Sequence, residues 1–479
     1  MTTVNIAEFI PLLPEIFVLS MACIILLVDL YLSDETRDVT YYLSIFTLAV
    51  AAGLTIVLAP AEAQVVLSGT FVSDSLSVVL KVFVYVVTIG VFIYSRQYLA
   101  DRGLYKGEFF VLALFAVLGM MVLASSHNMI SVYLGLELLS LALYAMVAMN
   151  RDSLISTEAA MKYFILGALA SGLLLYGMSM LYGASGTLDL AVLSKYIAEN
   201  PERDLVLILG LVFTVVGLSF KLGAVPFHMW VPDVYDGAPT ATTLFIGTAP
   251  KLAGLAMIMR MLVDGMSGLA ADWAGILVIL AMLSIAVGNI VAIAQTNIKR
   301  MLAYSTISHM GFLFLGILSA SPEGYSAALF YTIAYTLMGL GGFGMILLLT
   351  RAGFEADKID DFKGLNDRSP WFAFVMLILM ISMAGVPPVL GFYAKLTVLQ
   401  AAVAAGYTWL AIYAVVFSII GAFYYLRIIK VMYFDAPVET HPITAPGDMR
   451  AAMSVNGIGV LLLGIFPSAL LALCANALS

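Results

Sequence analysis

The chain has 479 residues, of which 62% are hydrophobic and only 11% charged, and its mean hydropathy is +1.04. Soluble domains carry roughly 25% charged and 45–50% apolar residues, so this composition excludes an ordinary soluble protein. At about 20 residues per crossing the apolar content sets a ceiling of roughly fifteen membrane helices. A net charge of -8 without any basic run excludes nucleic-acid binding.

The two cysteines, Cys23 and Cys474, stand near opposite ends of the chain in apolar stretches, so no iron–sulfur, zinc or CxxC site can be built from them. The four histidines, His127, His228, His309 and His441, form no HxxxH or His-rich tract, and no pair is placed for a haem. GxGxxG and P-loop contexts are missing too. No cofactor is therefore expected in this chain, and any redox chemistry belongs to other subunits.

From the N-terminus onward, MTTVNIAEFIPLLPEIF lacks the basic region and cleavage site of a signal peptide, so the first apolar run is expected to remain as a span. Apolar runs and breaker residues then place about fourteen crossings, centred near Ser20, Ala49, Val84, Phe115, Leu141, Leu173, Val215, Gly254, Ile279, Met310, Leu337, Val386, Val416 and Leu461. The fold class is an all-α polytopic membrane protein. One set of alternate loops carries Arg37, Arg96, Arg102, Lys106, Arg151, Lys299, Arg300, Arg351, Lys358, Lys363, Arg368, Arg427, Lys430 and Arg450. The opposite set carries little beyond Lys195, Arg203 and Arg260. The positive-inside rule makes the richer side cytoplasmic and puts both termini outside, as an even number of spans requires.

Ala159 to Ile165 resembles Ala327 to Ile333, and both runs lead into Gly-rich helix. Five crossings separate the two, an odd number that would invert one half relative to the other, although two small-residue apolar helices can also match by chance. The seventh span contains Gly223-Ala224-Val225-Pro226 and the twelfth Gly385-Val386-Pro387-Pro388. Proline removes an amide donor and clashes with the preceding turn, so each of these helices should break inside the membrane. Broken backbone is tolerated there only against protein or a wet cavity, and breaks at corresponding places in two halves point to a transport site. After the first break, Pro226 to Thr240 reads as a rigid loop with Trp230 as an interface anchor.

A charge at mid-membrane costs roughly 2.5–3.5 kcal/mol, which makes each one a functional candidate. Glu137 in the fifth span, Lys221 before the first break, Lys251 in the eighth span and Lys395 after the second break all lie well inside apolar helices. Glu137 and Lys221 read as partners, either switching a proton or fixing helix packing. The lysines flank the two breaks in mirror fashion, where snorkelling to a headgroup is the competing explanation. Pro250 frees a carbonyl near Lys251 that water could satisfy. Lys162, four residues after Glu158, is either a proton carrier or half of a surface pair. His309, among Ser305, Thr306 and Ser308, suits a proton wire or is a buried histidine satisfied by a serine. Lys81 in the third span has no evident role.

Lys221, the run from Pro226 to Thr240 and Lys251 together resemble the signature of the antiporter-like membrane subunits of respiratory complex I and the related Mrp-type cation/proton antiporters. The resemblance covers essentially the whole chain. Ser131 to Leu138, Gly385 to Pro388, a lysine at position 395 and the absence of a long lateral-helix extension after the last span narrow it to one bacterial branch of that family. It implies three N-terminal spans in 1–106, a five-helix repeat in 107–265, its inverted copy in 266–435, and a loop with the last span in 436–479. It also implies proton transfer through Glu137, Lys221, Lys251 and Lys395, to which the residue reading adds His309 and Lys162, driven by NADH oxidation and quinone reduction in other subunits. FMN, iron–sulfur clusters and quinone would sit in those partners. Neighbouring antiporter-like and small membrane subunits, and phospholipids, would surround this chain in a bacterial inner membrane. The alternatives are an Mrp-type sodium/proton antiporter subunit and a structural subunit with vestigial charges.

Overall fold

The computed structural model describes residues 6–200, 204–437, 443 and 445–478, by their backbone alone at residues 6 and 7. Arg203, His441 and both chain ends, Met1 to Asn5 and Ser479, lie outside these residues. Thirteen helices among the described residues are long and apolar enough to cross a membrane. In order they are Glu8–Asp29, Asp38–Val57, Ser75–Asp101, Gly107–Ala124, Met129–Val147, Leu154–Ser185, Leu205–Leu222, Thr240–Asp264, Ser267–Ile293, Ile298–Leu318, Pro322–Leu349, Thr408–Phe434 and Gly447–Ile465. Before the last two, Pro370–Ala384 and Leu390–Ala404 make one further crossing in two short pieces, which gives the fourteen the hydropathy predicts. Numbered through that pair, the broken span is the twelfth, and Thr408–Phe434 and Gly447–Ile465 are the thirteenth and fourteenth.

Polar residues start these helices. Asp74, Asn128, Ser153, Asp204, Asn297 and Ser321 each accept a hydrogen bond from a first-turn amide, satisfying donors that would otherwise be orphaned in an apolar surrounding. Large apolar side chains such as Leu134, Leu169, Ile279, Ile419 and Val455 are exposed on the outside, as a lipid-facing surface requires, while the tenth and eleventh spans are buried almost throughout.

The inverted repeat is visible in matching backbone contacts. The fourth span crosses the fifth at Gly119, where an added Cβ would stand 2.6 Å from the Leu139 nitrogen and 2.7 Å from the Gly135 oxygen. The ninth crosses the tenth at Gly288 in the same way, with the Ser308 nitrogen at 2.6 Å and the Tyr304 oxygen at 2.8 Å. Asn128 caps the fifth span and bridges to Asp189, and Asn297 caps the tenth and bridges to Lys358. Because five crossings separate each pair of equivalents, the first set lies at one membrane face and the second at the other.

The loop charges sort accordingly. At the face carrying most basic residues, Arg102 pairs with Glu355 at 2.7 Å, Arg96 with Asp38 at 2.5 Å and Arg300 with Asp233 at 3.0 Å. At the opposite face a two-stranded hairpin, Gln64–Val66 with Phe71–Ser73, and the short helix Leu190–Glu199 cover the helix ends. Arg260, read from sequence as an outer-loop charge, is instead buried at the end of the eighth span, because Asp74, Asp264 and the Ala124 carbonyl satisfy it there. Burial raises the Asp74 carboxyl, but Arg260 and the amide of Ser77 outweigh it and hold the group below the usual carboxylate range.

Overpacking typically costs about 1–3 kcal/mol, and more when the obstacle is backbone. Gly288→Val should therefore lower the melting temperature and membrane yield of the protein. Gly172→Val, where an added Cβ meets nothing within 4 Å, should leave both unchanged.

Candidate functional site

Two helix breaks of one design organise the interior. The first half of the seventh span ends at Gly223, left-handed at φ +81°, whose amide donates to Ser219 and Phe220 while Ala224 donates to Ser219. The first half of the twelfth ends at Gly385, φ +85°, whose amide donates to Ile381 and Ser382 while Val386 donates to Ile381. Only glycine takes this conformation without strain, and it closes each helix in the same pattern. In each half one carbonyl just before the glycine faces the interior and receives an ammonium. Lys251 Nζ donates to the Leu222 oxygen at 3.3 Å, and Lys395 Nζ to the Ala384 oxygen at 2.9 Å. A helix C-terminus carries partial negative charge, so both cations sit where the backbone favours them.

The two lysines that flank the breaks make different contacts there. The breaks correspond, but Lys221 precedes its glycine by two residues and Lys395 follows its own by ten. The residue that matches Lys395 in its contact with the break carbonyl is Lys251, which arrives from the neighbouring eighth span.

The environment of Lys251 is aromatic, with Trp230 and Tyr235 rings at 5.6 and 6.0 Å from Nζ. Trp230 is buried rather than interfacial, because its indole donates to the Phe220 carbonyl at 2.9 Å and stacks on Tyr163. The predicted loop is a short helix, Trp230–Gly237, that completes the seventh span. The eighth span is itself interrupted between Ile246 and Ala249, and the Gly247 carbonyl takes a hydrogen bond from Tyr335 at 3.2 Å.

Lys221 Nζ reaches Ser140 Oγ at 2.9 Å and Tyr144 OH at 3.4 Å. The expected direct ion pair with Glu137 is not formed. The ammonium meets the fifth span one turn further along, at Ser140, three residues after Glu137. Glu137 is half-buried and its Oε1, shielded from solvent, has no hydrogen-bond partner.

His309 is fully engaged, by tyrosines rather than serines. Its Nδ1 and the Tyr331 hydroxyl are 2.6 Å apart, and its Nε2 and Tyr425 3.1 Å. Tyr425 continues to Ser305 at 2.5 Å, and Thr306 to Tyr335 at 2.7 Å. Lys395 completes the series, bonded to Ser418 at 2.8 Å beside the Phe312 ring, in a cavity of 400 Å³ that Gly385 and Ala384 also line. Lys162 stands apart near the basic face, paired with Glu158 at 2.9 Å and Asp233 at 2.8 Å. Lys81 forms a buried ion pair with Glu15 of the first span at 2.5 Å.

Sequence reasoning missed Ser140, Tyr144, Tyr331, Tyr335, Ser418, Tyr425 and Glu15. Some signal existed. Ser140 and Tyr144 follow Glu137 by one and two helical turns, and Tyr331 and Tyr335 share a helix face, the spacings at which neighbours on a helix meet.

Fold and site together define a polytopic membrane protein of the transporter type, built from inverted repeats around two broken helices, with buried ammonium groups at the breaks. Residues 126–421 match the family described as NADH:quinone oxidoreductase/Mrp antiporter, TM. The chain is 62% identical to subunit N of NADH-quinone oxidoreductase from Thioalkalivibrio sulfidiphilus, across the full length of both, and 60% identical to that of Thiobacillus denitrificans, over 99% of this chain and 98% of that one. Among solved structures, a chain of respiratory complex I from Thermus thermophilus superposes with a TM-score of 0.83 at 30% identity, covering 97% of this chain and 100% of that one. A chain of the Mrp complex from Dietzia sp. DQ12-45-1b shares the fold, with a TM-score of 0.85 at 20% identity over 100% of this chain and 97% of that one. The chain belongs to the subunit N family of NADH-quinone oxidoreductases.

Each buried hydroxyl around His309 that loses its partner costs about 1–3 kcal/mol. His309→Leu should lower the thermal unfolding midpoint of the assembled protein, while His309→Gln, which can still bond a tyrosine, should lower it less.

Proposed function

We propose that this chain moves protons across the membrane as a subunit of NADH:quinone oxidoreductase, through Glu137, Lys221, Lys251, His309 and Lys395. The observation that carries this reading is the pair of ammonium groups on the two helix-break carbonyls, with a hydrogen-bonded set of tyrosines and hydroxyls lying between the breaks. Lys221 adjoins the Leu222 carbonyl that Lys251 occupies. From the eighth span, Gly247, Tyr335 and Thr306 lead to the helix that carries His309, and Tyr331 stacks on the Phe312 ring beside Lys395.

NADH oxidation and quinone reduction proceed in partner subunits, which hold FMN, the iron–sulfur clusters and the quinone. A change of charge at the neighbouring membrane subunit acts first on Glu137, whose side chain is only half-buried and whose shielded Oε1 has no hydrogen-bond partner to hold its charge fixed. Altering that carboxylate shifts the charge balance at Lys221 through the low dielectric, and the lysines hand a proton along the series. Lys162 supplies the basic-face end through its network with Glu158, Asp233 and Arg300, around a polar cleft of 150 Å³. The four-part division 1–106, 107–265, 266–435 and 436–479 describes the working units. The basic face is cytoplasmic in a bacterial inner membrane, with both termini outside, and antiporter-like and small membrane subunits and phospholipids cover the apolar flanks.

Lys221→Ala, assembled into the complex, should abolish NADH-driven proton translocation, and full pumping by that variant would refute the reading. Exchange of sodium for protons by the isolated chain would instead favour an antiporter subunit without redox partners.

A further inference from the structure

Two arginines outside the proton series repeat each other across the inverted halves. Arg260 lies nine residues after Lys251 on the eighth span, and Arg427 nine residues after Ser418 on the thirteenth. Lys251 and Ser418 hold corresponding places. The first donates to the helix-break carbonyl of Leu222, and the second accepts from Lys395, the ammonium on the helix-break carbonyl of Ala384.

Each guanidinium then seats on the C-terminal end of the first helix of its own repeat. Arg260 donates to the Ala124 carbonyl through Nε at 3.1 Å and Nη2 at 2.8 Å, at the last residue of the fourth span. Arg427 donates to the carbonyls of Ile293 at 2.9 Å and Gln295 at 2.5 Å, at the end of the ninth. A cation at a helix C-terminus is favourable, and a planar fork with several donors fixes position as well as charge. Arg260 is further held by Asp74 at 2.8 Å and Asp264 at 3.0 Å, and its side chain is only 5% exposed. Inversion puts the two anchors at opposite faces of the membrane.

Nine residues of helix rise roughly 14 Å. A stiff helix pinned at its arginine therefore presents the residue nine positions earlier at a set height against the break. The eighth span needs such an anchor, because it is interrupted between Ile246 and Ala249 and turns π-helical over Met259–Asp264, so its own hydrogen bonding fixes its height poorly.

We infer that Arg260 and Arg427 are positioning residues for proton transfer, each setting the height at which Lys251 or Ser418 meets its helix break. This rests on the reading of Lys251 and Lys395 as proton carriers. The test uses the intact complex bearing Arg260→Met or Arg260→Lys. Arg260→Met should lower the protons translocated per NADH oxidised several-fold, and Arg260→Lys should restore most of that loss. In density for the Arg260→Met complex, Lys251 Nζ should lie beyond hydrogen-bond reach, about 3.5 Å, of the Leu222 carbonyl. Unchanged pumping, or an unmoved Lys251 in a complex that pumps poorly, overturns the inference. If Arg260→Met fails to assemble, Arg427→Met decides by the same measure at Lys395 and Ala384. If Lys251→Met alone pumps normally, the proton path itself is wrong, and the position of Lys251 in the Arg260→Met complex still tests the anchor separately.

Discussion

The interior of this molecule is organised around the free carbonyl left where a membrane helix is broken, and the proposed proton path depends on it. Inside a bilayer an unpaired backbone oxygen is costly, and so is an unpaired ammonium. Placing one against the other resolves both costs at once, and the negative end of the half-helix adds to the attraction. Lys251 on Leu222 and Lys395 on Ala384 are two instances of that solution. Each of these lysines is held by a carbonyl and an aromatic face rather than by a carboxylate.

The inverted repeat supplies the two breaks, and the fold reproduces its framework more faithfully than its chemistry. Glycine crossings, asparagine caps, left-handed glycines and anchoring arginines recur at matching places, whereas the ammonium comes from the eighth span in one half and from the broken twelfth in the other. Packing tolerates little variation where two backbones nearly touch. A charged terminus on a long flexible stem can reach such a carbonyl from either neighbour.

The number of spans, both breaks and most of the titratable residues could be read from sequence, because each rests on local chemistry: apolar run length, proline beside glycine, and charge in an apolar run. What sequence could not supply depends on which helices touch. That Lys221 is held by Ser140 and Tyr144 rather than by Glu137 depends on how the spans pack together. The tyrosines around His309 come from the eleventh and thirteenth spans, and tyrosine in an apolar helix carries no mark that separates core from site. Trp230 read as an interface anchor because its sequence neighbours are loop formers, yet its indole finds a partner in the freed end of the preceding half-helix. Lys81 looked unaccompanied because Glu15 lies two spans away in the chain.

In the proposed mechanism the lysines at the helix breaks change protonation during turnover. Nitrogen-15 magnetic resonance of the lysine-labelled complex in membranes measures that directly, by resolving ammonium from amine nitrogen at rest and while NADH is being oxidised. Part of the buried lysine signal should convert to amine during turnover, and that part should vanish when Lys251 and Lys395 are replaced by Met. A buried lysine signal that stays wholly ammonium while the complex pumps protons would contradict it.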